Sequence, residues 1–265
     1  MRQAFTLLEL SIVLVIIGLL IGGIFVGQSL IHTAQLNAVI SEFNRYQAAT
    51  QNFKMQYQAL PGDMNNATNI WGAQNATPAT CRTTASTTTA TCNGDGNGIL
   101  ADSAGSDELF RFWQHLANAK MIEGQYQGIG TVSTVIGATG GVSTPASKYP
   151  NAAWSVQVAS IYNAGSADPL SIAAFATDYG TGHVFILGAT NGGDSSASAP
   201  AFSPRDVWAI DKKVDDGMPA QGNVMVLSPF GFAFCTSASN NTTLNATYAL
   251  TTTSNQCSIF FIAGF

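Results

Sequence analysis

A carboxylate, Glu9, lies near the start of the long apolar segment of this chain. Residues 5–27 read FTLLELSIVLVIIGLLIGGIFVG, and no side chain after Glu9 in this segment is charged. A carboxylate in such a segment costs about 2.5–3.5 kcal/mol on membrane-insertion scales, so we expect it to have a cationic partner. Cleavage after Ala4 would create one, because the new α-amine of Phe5 would have a pKa of about 8 and lie one helical turn from Glu9. We therefore expect ion pairing between packed helices, the amine of one against the carboxylate of the next.

The second candidate site is the sequence NGDGNGI over residues 93–99, in which oxygen-bearing side chains alternate with glycine. Counted from its first residue as an EF-hand calcium loop, it places Gly98 at the sixth position and a backbone carbonyl at the seventh. The twelfth position is Ala104 instead of Glu, so another carboxylate would have to complete the site. The candidate calcium ligands are Asn93, Asp95, Asn97, Ile99 and Glu108. The alternative is a glycine-rich turn that uses Asn and Asp for backbone hydrogen bonds.

The remaining titratable residues form no recognisable catalytic pattern. His32, His115 and His183 are far apart, and none has a neighbouring Ser–Asp or Cys pattern. The chain has neither a phosphate-binding loop nor a GxSxG motif. We therefore expect a protein that is not an enzyme and requires no cofactor. Its ten basic residues are scattered, so we expect no nucleic-acid partner.

Glu9 belongs to a segment that we expect to form one long helix. Apolar residues continue beyond the first segment at steps of three and four, as on one helix face. They are Leu36, Val39, Ile40, Phe43, Tyr46, Phe53 and Tyr57. The sequence LPGD at 60–63 then ends the pattern, which predicts a helix over 5–58 that is about 80 Å long. Its apolar part, 5–27, suits a membrane or a filament core, and its one-sided part suits packing on a globular head.

Four glycines, Gly18, Gly22, Gly23 and Gly27, lie in the apolar part of this helix. Their spacing forms small-xxx-small pairs, which allow helices to approach closely in lipid. Each glycine also weakens the helix by about 1 kcal/mol relative to Ala. They predict a loosened segment of the helix, or they are ordinary membrane-helix glycines.

Residues 59–265 carry the patterns expected of a globular head. One helix is predicted over 107–122, and another begins at Ser203, with Asp206 completing a capping box, and ends near Val214. Short apolar runs bounded by turns predict strands at 154–162, 183–188, 223–228, 230–235 and 257–263. We therefore expect an α+β fold in which the long helix packs on an antiparallel sheet.

Four cysteines, Cys81, Cys92, Cys235 and Cys257, suit disulfides in an oxidising compartment. Three pairings are open, and proximity along the chain favours Cys81–Cys92 and Cys235–Cys257. The tract at 75–92 is rich in Thr, Ala and Ser, and we expect it to be a surface loop. Its threonines are candidates for attached sugars, although solvation alone also explains them.

The segment FTLLELSIVLVIIGLLIGG, preceded by the short basic leader MRQA at 1–4, closely resembles the class III signal of type IV pilins and type II secretion pseudopilins. The resemblance implies that a prepilin peptidase cleaves between Ala4 and Phe5 and methylates the new amine of Phe5. It also implies that Glu9 guides assembly. The family usually has Gly before the cleavage site, and because Ala4 is also small we still expect processing.

As a member of this family, the chain would be a structural subunit of a type IV pilus-like filament with the lollipop shape of a pilin. The implied partners are further copies in a helical filament, a prepilin peptidase and an inner-membrane assembly platform. The subunit would wait in the bacterial inner membrane and then join a surface or periplasmic filament. The large head and its low-charge, Thr- and Asn-rich surface favour an exposed fibre.

Other classes of protein remain open at this point. Within the family, the alternatives are a pseudopilin of a type II secretion system and a minor tip pilin that acts as an adhesin. Outside it, an ordinary secretory signal would have a shorter apolar region of about 7–15 residues. A plain membrane anchor leaves Glu9 unexplained.

Overall fold

The structure is a computed structural model that describes residues 7–81, 83–100, 108–130, 137–158, 182–190, 195–227, 232–238 and 243–265. The helices are α1 (Leu7–Tyr57), α2 (Ala67–Trp71), α3 (Pro78–Cys81), α4 (Glu108–Asn118), α5 (Pro204–Val214) and α6 (Phe232–Cys235). The strands are β1 (Ala153–Val158), β2 (His183–Gly188), β3 (Val224–Leu227) and β4 (Ser258–Ile262). The predicted α+β class is confirmed as a long N-terminal helix and a separate antiparallel sheet. The leader at 1–4 and Phe5 lie outside the described residues.

Helix α1 has two parts with opposite surroundings. Its 51 residues extend over about 77 Å at 1.5 Å per residue. From Leu7 to Ile31 the large apolar side chains are exposed, with Phe25 at 68%. Burial begins at Leu36 and continues on one face, as the three- and four-residue spacing predicts. Among the described residues, α1 is the one helix long and apolar enough to cross a membrane, judged by length and composition.

Helix α1 ends where the sequence predicts. Gln58 takes a left-handed backbone conformation with φ of 54°, and its N–H donates to the carbonyl of Lys54 at 2.9 Å. The following Pro61 cannot donate a backbone hydrogen bond and so cannot continue the helix.

The sheet has the strand order β1-β2-β4-β3 in the described part of the chain, and all neighbouring strands are antiparallel. One face packs against α1 and α4, with Phe185 and Phe261 opposite each other at its centre. The other face carries a second buried cluster. That cluster consists of Val184, Ile186, Met225, Leu227 and Phe260. Because both faces are covered, these strands are nearly continuous apolar runs.

Aromatic rings join α1 to the sheet and to α4. Phe43 stacks on Phe261 with a centroid distance of 4.6 Å. Tyr46 lies edge-on to Trp113 at 5.1 Å and to Trp154 at 5.5 Å. Large aromatic side chains bury the most apolar area per residue, so these contacts supply much of the attachment of α1 to the head.

The strands predicted at 183–188, 223–228 and 257–263 are found as β2, β3 and β4, within one residue at each described end. The run predicted at 154–162 begins as β1, and its residues from 159 onward lie outside the described ranges.

The strand predicted at 230–235 is wrong, because Phe232–Cys235 forms the short helix α6. Cys235 is bonded to Cys257, immediately before β4. Both sides of β4 are already occupied by β2 and β3, so a segment tied to its start has no place in the ladder beside it. Alternation of Phe with small residues fits a helical turn as well as a strand.

The helix predicted over 107–122 ends earlier, at Asn118. Lys120 takes the left-handed conformation, with φ of 60°. The N–H of Met121 donates to the carbonyl of Leu116, and the N–H of Lys120 donates to that of Ala117, both at 3.0 Å. This is a Schellman ending in which Lys takes the place usually filled by Gly.

Candidate functional site

Glu9 lies in the first turn of α1, where a negative side chain interacts favourably with the helix dipole. Around it the helix surface is apolar and exposed, with Leu7 at 89% and Leu8 at 70%. Ala4 and Phe5, the residues of the predicted cleavage site, lie outside the described residues. The ion pair expected from the sequence therefore stays a prediction.

The four glycines Gly18, Gly22, Gly23 and Gly27 lie within an unbroken helix. A Cβ added at any of them would meet no atom within 4 Å. Each glycine lowers helix stability, yet none is required by packing within the described chain. Close helix approach and local loosening therefore stay predictions, beside the alternative of ordinary membrane-helix glycines.

The head contacts α1 through polar side chains close to the residues where the exposed apolar part of α1 ends. His32 Nε2 lies 2.8 Å from Asp206 Oδ1, and the hydroxyl of Tyr149 donates to Asp206 Oδ2 at 2.9 Å. The Lys213 ammonium donates to Asn37 Oδ1 at 2.8 Å. Residues near both ends of α5 thus contact α1.

The N-terminus of α5 is capped as predicted, but by half of the capping box. The Asp206 N–H donates to Ser203 Oγ at 3.3 Å, and Pro204 occupies the first helical position. The Asp206 carboxylate faces His32 and Tyr149. The sequence pattern indicates only the local capping role of Asp206.

Glu42 is a second anchor of α1, and sequence reasoning missed it. Its carboxylate is buried and accepts hydrogen bonds from Ser147 Oγ at 2.7 Å, the Lys148 N–H at 2.9 Å and Trp154 Nε1 at 2.8 Å. A carboxylate with several donors can be buried because the donors replace water. The available signal was a charged residue between the apolar positions Val39 and Phe43 of the packing face.

The glycine-rich loop at 93–99 uses its side-chain oxygens for backbone hydrogen bonds. Asn93 Oδ1 accepts the Thr68 N–H at 2.9 Å, and Asn97 Oδ1 accepts the Ile99 N–H at 2.7 Å. Asp95 Oδ1 accepts the Asn97 N–H at 3.0 Å. These are the interactions expected of the turn alternative.

A different carboxylate cluster forms beside this loop. Oxygens of Asp63, Asp95 and Glu108 lie within 4.8 Å of one another. Two of the predicted ligands, Asp95 and Glu108, belong to it, and Asp63 is the residue that sequence reasoning missed. Asp63 follows the helix-ending sequence LPG and was therefore interpreted only as part of a turn.

The Asp63 carboxylate holds the loop at 93–99 through hydrogen bonds from its backbone. Its Oδ1 accepts the N–H groups of Gly96 at 2.7 Å and Asn97 at 3.0 Å, and its Oδ2 accepts that of Gly98 at 2.9 Å. Burial raises the pKa of the Asp63 carboxyl, the three N–H groups act in the opposite direction, and neighbouring Asp95 raises it further. Carboxylates this close disfavour one another's ionisation unless a proton or a cation lies between them.

His115, on α4, is a structural histidine. Its Nδ1 accepts the Gly62 N–H at 2.9 Å, so Nε2 carries the proton and faces Thr91 Oγ1 at 2.9 Å. Burial lowers the pKa of His115 to about 3, which keeps the ring neutral. Gly62 has φ of 87°, and a Cβ there would lie 2.3 Å from the carbonyl oxygen of Glu108. Only glycine fits at this contact.

The disulfides join Cys81 to Cys92 and Cys235 to Cys257, the pairing that proximity favours. The first of them closes the Thr-rich loop, which lies against α4. Side-chain donors on and after α4 hold carbonyls of this loop. The donor–acceptor pairs are Arg111–Cys81 (3.0 Å), Gln114–Ala90 (3.1 Å), Asn118–Thr89 (2.7 Å) and Gln125–Thr87 (2.6 Å).

A second acidic cluster lies at the C-terminal end of α5 and comprises Asp211, Asp215 and Asp216. Asp211 is fully buried, and it accepts hydrogen bonds from the Tyr248 hydroxyl at 2.6 Å and the Gly217 N–H at 3.1 Å. Burial raises the pKa of Asp211 to about 7 despite these donors. The cluster fixes the turn between α5 and β3.

An open cleft of about 850 Å³ lies between the end of α1 and the start of β2, and Lys54, Asp63 and His183 are among its lining residues. His183 Nε2 accepts the Leu100 N–H at 3.2 Å, and Nδ1 lies 2.8 Å from the carbonyl oxygen of Phe265. Both ring nitrogens therefore serve backbone groups, and the Asp63 carboxylate does the same. His183 and Asp63 are thus both hydrogen-bonded to the backbone in this cleft.

No protein-family model, curated protein or solved structure matches this chain.

Proposed function

We propose that this chain is the structural subunit of a type IV pilus-like filament. The observation that carries the proposal is the divided surface of α1. Its N-terminal half exposes apolar side chains all round, and its second half is fixed to the head. An apolar surface of this size requires a covering in water. Lipid covers it before assembly, and the same helices of neighbouring subunits cover it afterwards.

The leader and the disulfides support one orientation of the subunit in the membrane. Arg2 keeps the leader in the cytoplasm by the positive-inside rule, so the head lies on the other side of the membrane. Disulfides at Cys81–Cys92 and Cys235–Cys257 are stable in such an oxidising compartment. A prepilin peptidase then cleaves between Ala4 and Phe5 on the cytoplasmic side and methylates the amine of Phe5.

Assembly follows from the charges of the processed helix. Glu9 of an incoming subunit pairs with the Phe5 amine of its neighbour. Apolar helices leaving lipid for a bundle gain little from the hydrophobic effect, because both surroundings are apolar. Packing and the ion pair therefore set the axial position of each subunit. The glycines at Gly18, Gly22, Gly23 and Gly27 permit close approach or local loosening in the bundle.

The test is intact mass and N-terminal sequencing of the protein from sheared surface fibres and from membranes. An abundant chain in the fibres that begins at methylated Phe5 is the expected result. The same processed chain confined to membranes would identify a secretion pseudopilin. A scarce, processed chain at fibre ends would identify a tip adhesin. An intact Met1 in both fractions would contradict the proposal.

We also propose a bound Ca²⁺ at Asp63, Asp95 and Glu108. The supporting observation is the approach of these carboxylates, whose oxygens are the ligand type that Ca²⁺ prefers. A divalent cation would relieve their mutual repulsion and hold the loop at 93–99 against the start of α4. Asp63 joins the predicted ligands Asp95 and Glu108 in this set, because its carboxylate oxygens lie within 4.8 Å of theirs.

A further inference from the structure

The disulfide loop between Cys81 and Cys92 presents a row of threonines on a fixed backbone. Its carbonyls at Thr87, Thr89 and Ala90 are held from the protein side by the amides of Gln125, Asn118 and Gln114. With these carbonyls fixed, Thr87, Thr88 and Thr89 are exposed to solvent.

The hydroxyls in this loop differ in their hydrogen bonding. Those of Thr83 and Thr84 donate to the carbonyl of Thr80, at 3.2 and 2.8 Å. That of Thr88 accepts the Ala90 N–H at 3.2 Å. In the described part of the chain, the Thr87 and Thr89 hydroxyls have no hydrogen-bond partner. Two exposed nucleophilic oxygens therefore stand two residues apart.

The composition of the loop is typical of segments whose hydroxyl oxygens are covalently modified. From Thr83 to Cys92 the chain has no charged residue, and seven of its ten residues are Ser or Thr. Ser/Thr-rich tracts with proline are typical sites of O-linked sugars, and Pro78 lies shortly before this loop. Solvation alone would be served by any polar residue, whereas here the backbone is fixed and these two exposed hydroxyls have no hydrogen-bond partner among the described residues.

We propose that Thr87 and Thr89 are attachment sites for O-linked sugars. The threonine Oγ attacks the anomeric carbon of a sugar carried on a lipid- or nucleotide-linked diphosphate. The new bond joins Oγ to the anomeric carbon, and the bond from that carbon to the phosphate oxygen breaks. The diphosphate leaves with the electron pair, and a base on the transferase takes the hydroxyl proton. This inference requires a head outside the cytoplasm but not assembly into a filament.

The test is mass spectrometry of the protein purified from the organism that encodes it. Trypsin releases the peptide Thr83–Arg111, which contains both sites. We expect this reduced peptide to carry one or more sugar residues, placed on Thr87 or Thr89 by electron-transfer fragmentation. A Thr87→Ala/Thr89→Ala variant should lose the added mass. A Thr83→Ala/Thr84→Ala variant, whose hydroxyls are bonded internally, should keep it.

An unmodified peptide from native cells would overturn the inference. So would an added mass that survives in Thr87→Ala/Thr89→Ala or disappears only in the control. Fibre yield is measured in the same preparations. Normal fibres built from unmodified protein contradict this inference alone, whereas sugar-bearing protein that never enters fibres contradicts the filament proposal alone.

Discussion

At the scale of single residues, buried polar groups decide how the head is held. Glu42 joins α1 to β1 and the preceding loop, and His115 joins α4 to Gly62 and Thr91. Each is satisfied by specific donors and acceptors. Removing one of them leaves its partners buried without hydrogen bonds, which costs more than the hydrogen bond itself contributes.

Glu42→Ala is expected to destabilise the protein by about 3 kcal/mol, because Trp154 Nε1, Ser147 and the Lys148 N–H all lose their acceptor. Glu42→Gln, which retains one acceptor, should cost about half as much. Urea unfolding of the detergent-solubilised chain measures both values. Asn44→Ala, exposed on the same helix, is the control and should change little. Equal stability of Glu42→Ala and the control would refute the anchoring role.

Two buried groups make stability depend on pH in opposite directions. His115 has a pKa of about 3 when folded, against about 6.5 when unfolded, so its contribution is complete above pH 6.5 and is lost as the pH falls toward 3. Asp211 has a pKa of about 7 when folded, against 3.8 when unfolded. Its contribution is complete below pH 3.8 and is lost as the pH rises through 7.

Asp211→Asn should therefore steepen the pH dependence between about pH 4 and 6.5, by up to about 1.4 kcal/mol per pH unit. In the wild type the two groups largely cancel over this range, and the substitution leaves His115 unopposed. The free energy of urea unfolding at a series of pH values gives the slope. An identical slope in both proteins would show that Asp211 is ionised in the folded state.

At the scale of elements, α4 connects the parts of the head that lie far apart in sequence. Its first residue, Glu108, reaches the acidic cluster, and Arg111 and Gln114 reach the disulfide loop. These polar residues are buried because the helix is enclosed by loops as well as by the core. The acidic cluster is the place where this arrangement can be tested directly.

Ca²⁺ at a hundredfold excess over its dissociation constant should stabilise the wild-type protein by about 2.7 kcal/mol, and chelation should reverse this. Thermal unfolding with calcium and with a chelator measures the shift. Asp95→Asn should abolish the calcium response. Asp216→Asn, an exposed aspartate in the second acidic cluster, should keep it. A response retained in Asp95→Asn and lost in Asp216→Asn would contradict the proposed site, because it would place the ion in the second acidic cluster.

At the scale of the whole molecule, the division of α1 is the dominant feature. One half is fixed to the head through Phe43, Tyr46 and Glu42, and the other exposes an apolar surface. No contact within the described head covers that surface. The N-terminal half of α1 therefore requires a covering from outside the head.

Glu9→Ala is expected to lower the rate of fibre assembly by about tenfold or more, because the Phe5 amine of the neighbouring subunit loses its partner in an apolar bundle. The yield of sheared fibres per cell measures the effect, with N-terminal sequencing to confirm that processing still occurs. Ser11→Ala, in the same segment, is the control. Normal assembly of Glu9→Ala subunits would exclude the proposed role of Glu9.

Local patterns in the sequence were sufficient for much of this architecture. The spacing of apolar residues predicted α1 and its end, and the short runs predicted β2, β3 and β4. The chain distance between cysteines favoured the observed disulfides. These features depend on residues within a few positions of one another, or on loop closure, and both can be read along the chain.

Contacts between distant segments were decided only by the tertiary structure. Asp63 joins Asp95 and Glu108 because α1 ends beside the start of α4, and no local pattern connects them. Phe232–Cys235 is helical because β4 already has neighbours on both sides. A periodic pattern specifies which face of an element is apolar, but which distant side chains meet on that face depends on how the elements pack.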